Sequence, residues 1–202
     1  MKTSSKNFRI AVLASTRGTD LQAIIDEIKA GKMPGIELTL VVSNKKTAYA
    51  LQRASEQGFE TCFINPAGKS REEYDKELAA LLESYQIDLV VLIGYMRILS
   101  PSFVRKFPRR IINVHPALTP KFSGPGFFGS NVHEEVLKAG EHETGCTFHF
   151  VDEEVDSGDI ILQKKVAVDA TDTPESLKEK VQTLEKTWYP EVIRWFAEGR
   201  VK

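Results

Sequence analysis

The sequence predicts an α/β fold, a mostly parallel sheet with helices on both faces. Three observations carry this expectation. Short apolar runs recur through the first two-thirds of the chain, and several lack alternation, as strands covered on both faces require. Amphipathic segments of helical spacing lie between them, the pattern of right-handed crossovers between parallel strands. The chemically distinctive segments follow strands, and ligands gather at the carboxyl ends of strands in such sheets.

Taken in order, Phe8–Ala14 reads as the first strand and Asp20–Ala30 as the first helix, with Leu21, Ile24, Ile25 and Ile28 on one stripe. Ile36–Ser43 and Glu60–Ile64 are the next strands. Ser70–Tyr85 is a helix with Tyr74, Leu78, Leu81, Leu82 and Tyr85 on its apolar face, and Ser70-Arg71-Glu72-Glu73 forms a capping box at its start. Leu89–Ile93 and Ile111–His115 complete this series of strands. The last third changes character. Thr144–Val151 and Asp159–Val168 read as strands around the acidic loop Asp152–Asp156. Thr173 as N-cap and Pro174 at the first helical position open a final helix, which Pro190 should kink or break near Tyr189. No repeat, low-complexity tract or linker interrupts the pattern, so residues 1–202 read as one domain.

Bulk properties narrow the function. Hydrophobic residues make up 42% of the 202 positions and charged residues 27%, values of a soluble globular protein. A formal charge of −1 gives no reason to expect nucleic acid as a partner. No apolar run approaches the roughly 20 residues that span a bilayer. Met1–Asn7 carries positive charge, but the apolar stretch Ile10–Ala14 is too short for a signal-peptide core. Cys62 and Cys146 are the two cysteines, so a disulfide framework is not expected and a cytoplasmic location is. Cys146 reads as a small core residue. The four histidines show no zinc-like spacing, and no metal is expected.

The chemistry concentrates in Ile111-Ile112-Asn113-Val114-His115-Pro116. In an extended chain residues i and i+2 share a face, so Asn113 and His115 point into one space. Asn113 offers an amide donor to a developing oxyanion, and His115 an acid or base that titrates near neutral pH. Asp156, far downstream, can supply the carboxylate that orients the imidazole.

Other segments admit two readings each. Ser15-Thr16-Arg17-Gly18-Thr19-Asp20 is either a phosphate cradle at a helix start or an ordinary turn capped by Thr19 or Asp20. Asp20 is expected to cap backbone N–H groups, while Gly18 and Thr19 present their amides and Arg17 or Arg71 supplies positive charge. Met96, Arg97, Ile98 and Leu99 are either core filler or the wall of a ligand slot. Phe122–His133 is a Gly- and Phe-rich loop, a lid over reactants or a plain connection. Arg71 and Glu185 would each be surface residues on sequence alone. His133 and His149 read as structural and His142 as surface.

The run Asn113-Val114-His115-Pro116-Ala117-Leu118-Thr119-Pro120 resembles the N-x-H-P-[SA]-L-x-P signature of folate-dependent formyltransferases. Tyr95–Ser100, Gly145–Asp152 and Asp156–Ile161 resemble further segments of that family, as do Leu21–Ile25 and Gln182–Glu185 of its single-domain branch. The resemblance implies a Rossmann-like formyltransferase fold, with a phosphate-binding half at about 1–100 and a folate-binding, catalytic half at about 101–202. It implies 10-formyltetrahydrofolate as co-substrate and 5-phosphoribosylglycinamide as acceptor, small molecules bound by a monomer or homodimer. The catalytic residues would be Asn113, His115 and Asp156. Ser15, Arg17, Gly18, Thr19, Asp20, Arg71 and Glu185 would hold the acceptor. Arg71, Met96, Arg97, Ile98, Leu99 and Asn113 would meet the folate. The family usually has glycine at position 16 and asparagine at position 20. A formyltetrahydrofolate hydrolase, or a formyltransferase for a related amino-sugar or nucleotide, is the alternative activity.

Overall fold

Strand β1 (Phe8–Ala14) shows how the sheet is built: Ile10, Val12 and Ala14 enter one buried cluster, while Ala11 and Leu13 enter another on the opposite face. Both faces are therefore covered, and the strand needs no polar side. The computed structural model describes residues 7–124, 126, 127 and 129–201. The reading of the N-terminal Met1–Lys6, and Pro125 and Phe128 of the expected lid, lie outside the described residues.

The other strands are β2 (Ile36–Ser43), β3 (Thr61–Phe63), β4 (Leu89–Ile93), β5 (Ile111–His115), β6 (Glu143–Phe150) and β7 (Ile160–Ala167). They form a seven-stranded sheet in the order β3-β2-β1-β4-β5-β6-β7. The first five are parallel, and β6 and β7 are antiparallel additions. The crossover helices are α1 (Thr19–Lys29), α2 (Tyr49–Ser55), α3 (Arg71–Ser84) and α4 (Pro101–Lys106). Helices α5 (Ser130–Lys138) and α6 (Pro174–Ala197) follow. The expected α/β architecture is the observed one.

Local signals behave as the sequence suggests at two helix starts. Ser70 accepts from the Glu73 N–H while the Glu73 carboxylate receives the Ser70 N–H. Thr173 caps α6 in the same reciprocal way with Ser176. Pro190 does not break α6, which runs unbroken for 24 residues. The reason is burial on both sides of the proline. Glu185, Tyr189, Val192 and Ile193 are buried, and the Tyr189 hydroxyl donates to the Leu92 carbonyl at 2.5 Å. Anchoring of this extent outweighs the roughly 3 kcal/mol that an interior proline costs.

Candidate active site

Strand β1 leads to β2 on one side, while β4 lies on its other side, so the sheet order reverses between β1 and β4. A crevice at this point is where an open α/β sheet accepts ligands. Two of the expected binding segments meet there. The Ser15 N–H donates to the Gly94 carbonyl (3.1 Å), the Ser15 hydroxyl receives the Met96 N–H (2.8 Å), and that hydroxyl donates to Asn44 (2.6 Å).

The segment after β4 is fixed from below. Asp75 on α3 accepts from the Ser100 N–H at 2.5 Å, and the Arg97 guanidinium lies 4.2 Å over the Tyr74 ring. Met96 and Ile98 are left 48% and 58% exposed, an apolar surface that an aromatic ligand could cover. Leu99 departs from the expectation: its side chain is buried in the core, so it can offer a ligand its backbone and not an apolar face.

Strand β5 carries Asn113 and His115, and its antiparallel partner β6 sets His149 opposite Asn113 and Thr147 opposite His115. His115 is buried, with Nδ1 3.3 Å from Asp156 Oδ2. Its Nε2 meets the Phe122 carbonyl at 2.6 Å. A carbonyl only accepts, so Nε2 carries hydrogen, and a carboxylate facing Nδ1 favours hydrogen there too. Both ring nitrogens of His115 thus face an acceptor. Asp156 sits at φ 57°, a conformation uncommon for residues other than glycine, and also receives the Gly124 N–H at 3.2 Å. Two residues on, a Cβ at Gly158 would stand 1.9 Å from the Phe150 carbonyl oxygen, so glycine is required for this loop to lie against β6.

His149 holds Asn113. Its Nδ1–H donates to the Phe150 carbonyl (2.9 Å), which leaves Nε2 to accept from the Asn113 amide nitrogen at 3.3 Å. Burial lowers the His149 pKa and so favours the neutral ring this arrangement needs. One amide hydrogen of Asn113 is then occupied and the other stays available.

The start of α1 corrects one expectation. Gly18 takes the N-cap position in the left-handed conformation, and no side chain caps the helix. A Cβ on Gly18 would stand 2.9 Å from Ala50 Cβ, so glycine is needed there. With Gly18 as N-cap, Thr19 and Asp20 are already inside the helix, past the position from which a side chain reaches back to the first amides. Asp20 is instead 6% exposed, with Oδ1 lacking a hydrogen-bond partner. Burial pushes its carboxyl up to about 6, opposed in part by Lys186. Glu185 on α6 is equally buried, and burial together with the Asp20 charge raises it too.

A raised carboxyl stabilises the fold below its unfolded pKa and loses that contribution as pH rises through its folded value. Asp20→Asn is therefore expected to be more stable than wild type at pH 8, by on the order of 2–3 kcal/mol, with the difference vanishing toward pH 4. Thermal unfolding at the two pH values checks this, and equal midpoints at pH 8 would refute it.

Arg17 is exposed, and its carbonyl accepts from Arg53 Nε at 3.3 Å. Arg71 is exposed at the start of α3, 3.6 Å from Glu72. The structure thus joins Asn113, His115 and Asp156 in one cluster, Ser15 with the Met96 segment, and Asp20 with Glu185. It leaves both arginines at the periphery. Sequence reasoning missed Asn44, His149 and the Phe122 carbonyl. Asn44 directly follows β2, so the strand-end rule could have flagged it. Among the described residues no group of three or more His, Cys, Asp or Glu is placed to hold a metal ion, and no helix is long and apolar enough to cross a membrane.

Comparison with known proteins shows the family. Phosphoribosylglycinamide formyltransferase of Escherichia coli K12 is 45% identical over 194 residues, which cover 96% of this chain and 89% of that protein. The human trifunctional purine biosynthetic protein adenosine-3 is 41% identical over 198 residues, 98% of this chain but 19% of the larger protein. The crystal structure of glycinamide ribonucleotide transformylase 1 from Symbiobacterium toebii superposes with a TM-score of 0.91 at 41% identity, covering 99% of this chain and 92% of that one. Residues 8–193 match the model of the formyl transferase family, and the chain belongs to that family.

Proposed function

We propose that this chain transfers a formyl group from 10-formyltetrahydrofolate to the amine of 5-phosphoribosylglycinamide, a step of purine synthesis. The observation that carries this reading is the convergence of Asn113, His115 and Asp156 at the end of β5, in a sheet where the Ser15–Asp20 and Gly94–Leu99 segments meet after β1 and β4. The acceptor amine attacks the formyl carbon and forms a C–N bond, and the carbonyl π electrons move onto oxygen. The free Asn113 amide hydrogen donates to that oxyanion, and imidazolium at His115 adds positive charge. Collapse of the intermediate breaks the bond to the folate nitrogen. His115 gives its Nε2 proton to that nitrogen and regains one from the attacking amine, while Asp156 keeps the ring in place.

The Phe122 carbonyl occupies His115 Nε2–H in this conformation, so it turns aside for that hydrogen to serve the reaction. The Ser15–Asp20 segment would hold the phosphate, and the exposed Met96 and Ile98 would cover the pterin. Arg71 is assigned to the outer part of this site and Glu185 to the acceptor.

The test is a formyl-transfer assay with and without phosphoribosylglycinamide. Product formation that depends on the acceptor supports the reading, whereas equal folate turnover without it makes the protein a hydrolase. Asn113→Ala should lower kcat by about 10²-fold or more, as loss of one oxyanion donor does. Unchanged kcat with weaker folate binding would make Asn113 a binding residue only.

A further inference from the structure

Two buried carboxyl groups, Asp20 near the amino end of α1 and Glu185 on α6, lie where those helices pack together. Each residue is only 6% exposed, and Asp20 Oδ1 has no hydrogen-bond partner. The charged and titratable groups that act on the pair are few. Lys186 and Lys178 on α6 supply positive charge, while Tyr189 on α6 and Cys146 on β6 are held neutral because burial pushes both upward. Among the described residues neither carboxylate has a salt bridge that would offset the loss of water, and two such groups cannot both ionise cheaply.

We propose that Asp20 and Glu185 form an electrostatically linked acid pair that takes up a proton when a phosphate-bearing substrate docks at the amino end of α1. This rests on the acceptor assignment of the preceding section. The order of ionisation follows from the surroundings. Asp20 sits on the positive end of a helix dipole and loses its proton first, and its charge then keeps Glu185 protonated. A phosphate arriving at the same helix end brings at least one further negative charge. Returning a proton to Asp20 removes the repulsion and turns an orphaned acceptor into a possible donor. A groove of about 280 Å³ lined by Thr19, Gln22, Ala23, Asp26, Arg53 and Lys186 runs beside this turn, so two cations and one carboxylate face it.

The sign of the pH dependence follows. The binding form of the pair is the protonated one, present in full below the Asp20 value of about 6 and depleted as pH rises through it. Affinity for the phosphate-bearing substrate therefore falls above that pH, by up to about tenfold per unit for one linked proton. The second ionisation of the phosphate, also near 6, works in the opposite direction. An isosteric Asp20→Asn control separates the two.

The experiment is titration calorimetry of phosphoribosylglycinamide into wild type and Asp20→Asn, at pH 7 in buffers of different ionisation enthalpy. Wild type should take up a fraction of a proton more than the variant, and the ratio of their Kd values should widen from pH 6 to 8. Equal proton uptake in the two proteins overturns the proposal. Infrared spectra without ligand give a second reading: a carboxylic-acid band at pH 7 in wild type that disappears in Glu185→Gln supports the pair, and its absence from wild type refutes it. If the band is present but neither protein binds phosphoribosylglycinamide, the acceptor assignment falls and with it the docking step, while the acid pair itself stands.

Discussion

His115→Ala is expected to lower kcat by about 10²–10⁴-fold while leaving the dissociation constant for the folate within a few-fold of wild type. The imidazolium has most to stabilise when negative charge has developed on the formyl oxygen, so its removal weakens the transition state more than the ground state. The structure favours this separation. His115 is almost wholly buried at the end of β5, whereas the surface proposed for the folate is the exposed Met96 and Ile98 after β4. Stability should fall modestly, because Nδ1 and Nε2 both have partners in Asp156 and Phe122 that would be left without them. Single-turnover kinetics with saturating folate and acceptor measure the effect free of binding. A kcat within twofold of wild type would remove His115 from the mechanism.

Much of this arrangement is legible in the sequence because it depends on local periodicity. The apolar runs of β1, β2 and β4 dictate strands buried on both faces, and the two-residue spacing of Asn113 and His115 puts them on one face of β5. Ser70 and Thr173 signal helix starts through residues within four positions of themselves. What the sequence hides is register and burial. His149 faces Asn113 because of antiparallel pairing between β5 and β6, and nothing in either segment states that alignment. The Phe122 carbonyl that meets His115 is a backbone group, identical in every residue type. Asp20 was expected to cap α1 because aspartate often does, but Gly18 already occupies the cap and the helix turns Asp20 inward. Pro190 was expected to kink or break α6, and with Tyr189 and Val192 packed around it the helix runs through the proline without a break. The side chain of Leu99 looked like part of a ligand slot, yet it enters the core just before Ser100 caps α4, which leaves its backbone for a ligand.

Asp156→Asn should be about as damaging as loss of the histidine, with kcat down on the order of 10²–10⁴-fold and the fold intact. Asparagine tolerates the left-handed backbone conformation at this position about as well as aspartate, so the loop between β6 and β7 keeps its path. What changes is the charge and the number of acceptors. In wild type one oxygen, Oδ2, serves both the His115 Nδ1–H and the Gly124 N–H, while Oδ1 lies 3.7 Å from His149 Nε2. An asparagine can keep one oxygen toward His115, but the uncharged amide no longer offsets a positive ring. If the amide flips, its nitrogen points hydrogens at two donors, and His115 must release its Nδ1 hydrogen or rotate. Either outcome weakens imidazolium at the moment the oxyanion forms, which is where the proposed mechanism needs it. Measured together, kcat and thermal unfolding separate this role from a structural one. A large loss of kcat with a melting midpoint close to wild type supports a positioning and charge role for Asp156. A parallel loss of both would mean that the carboxylate chiefly holds the loop, and an unchanged kcat would mean that His115 works without it.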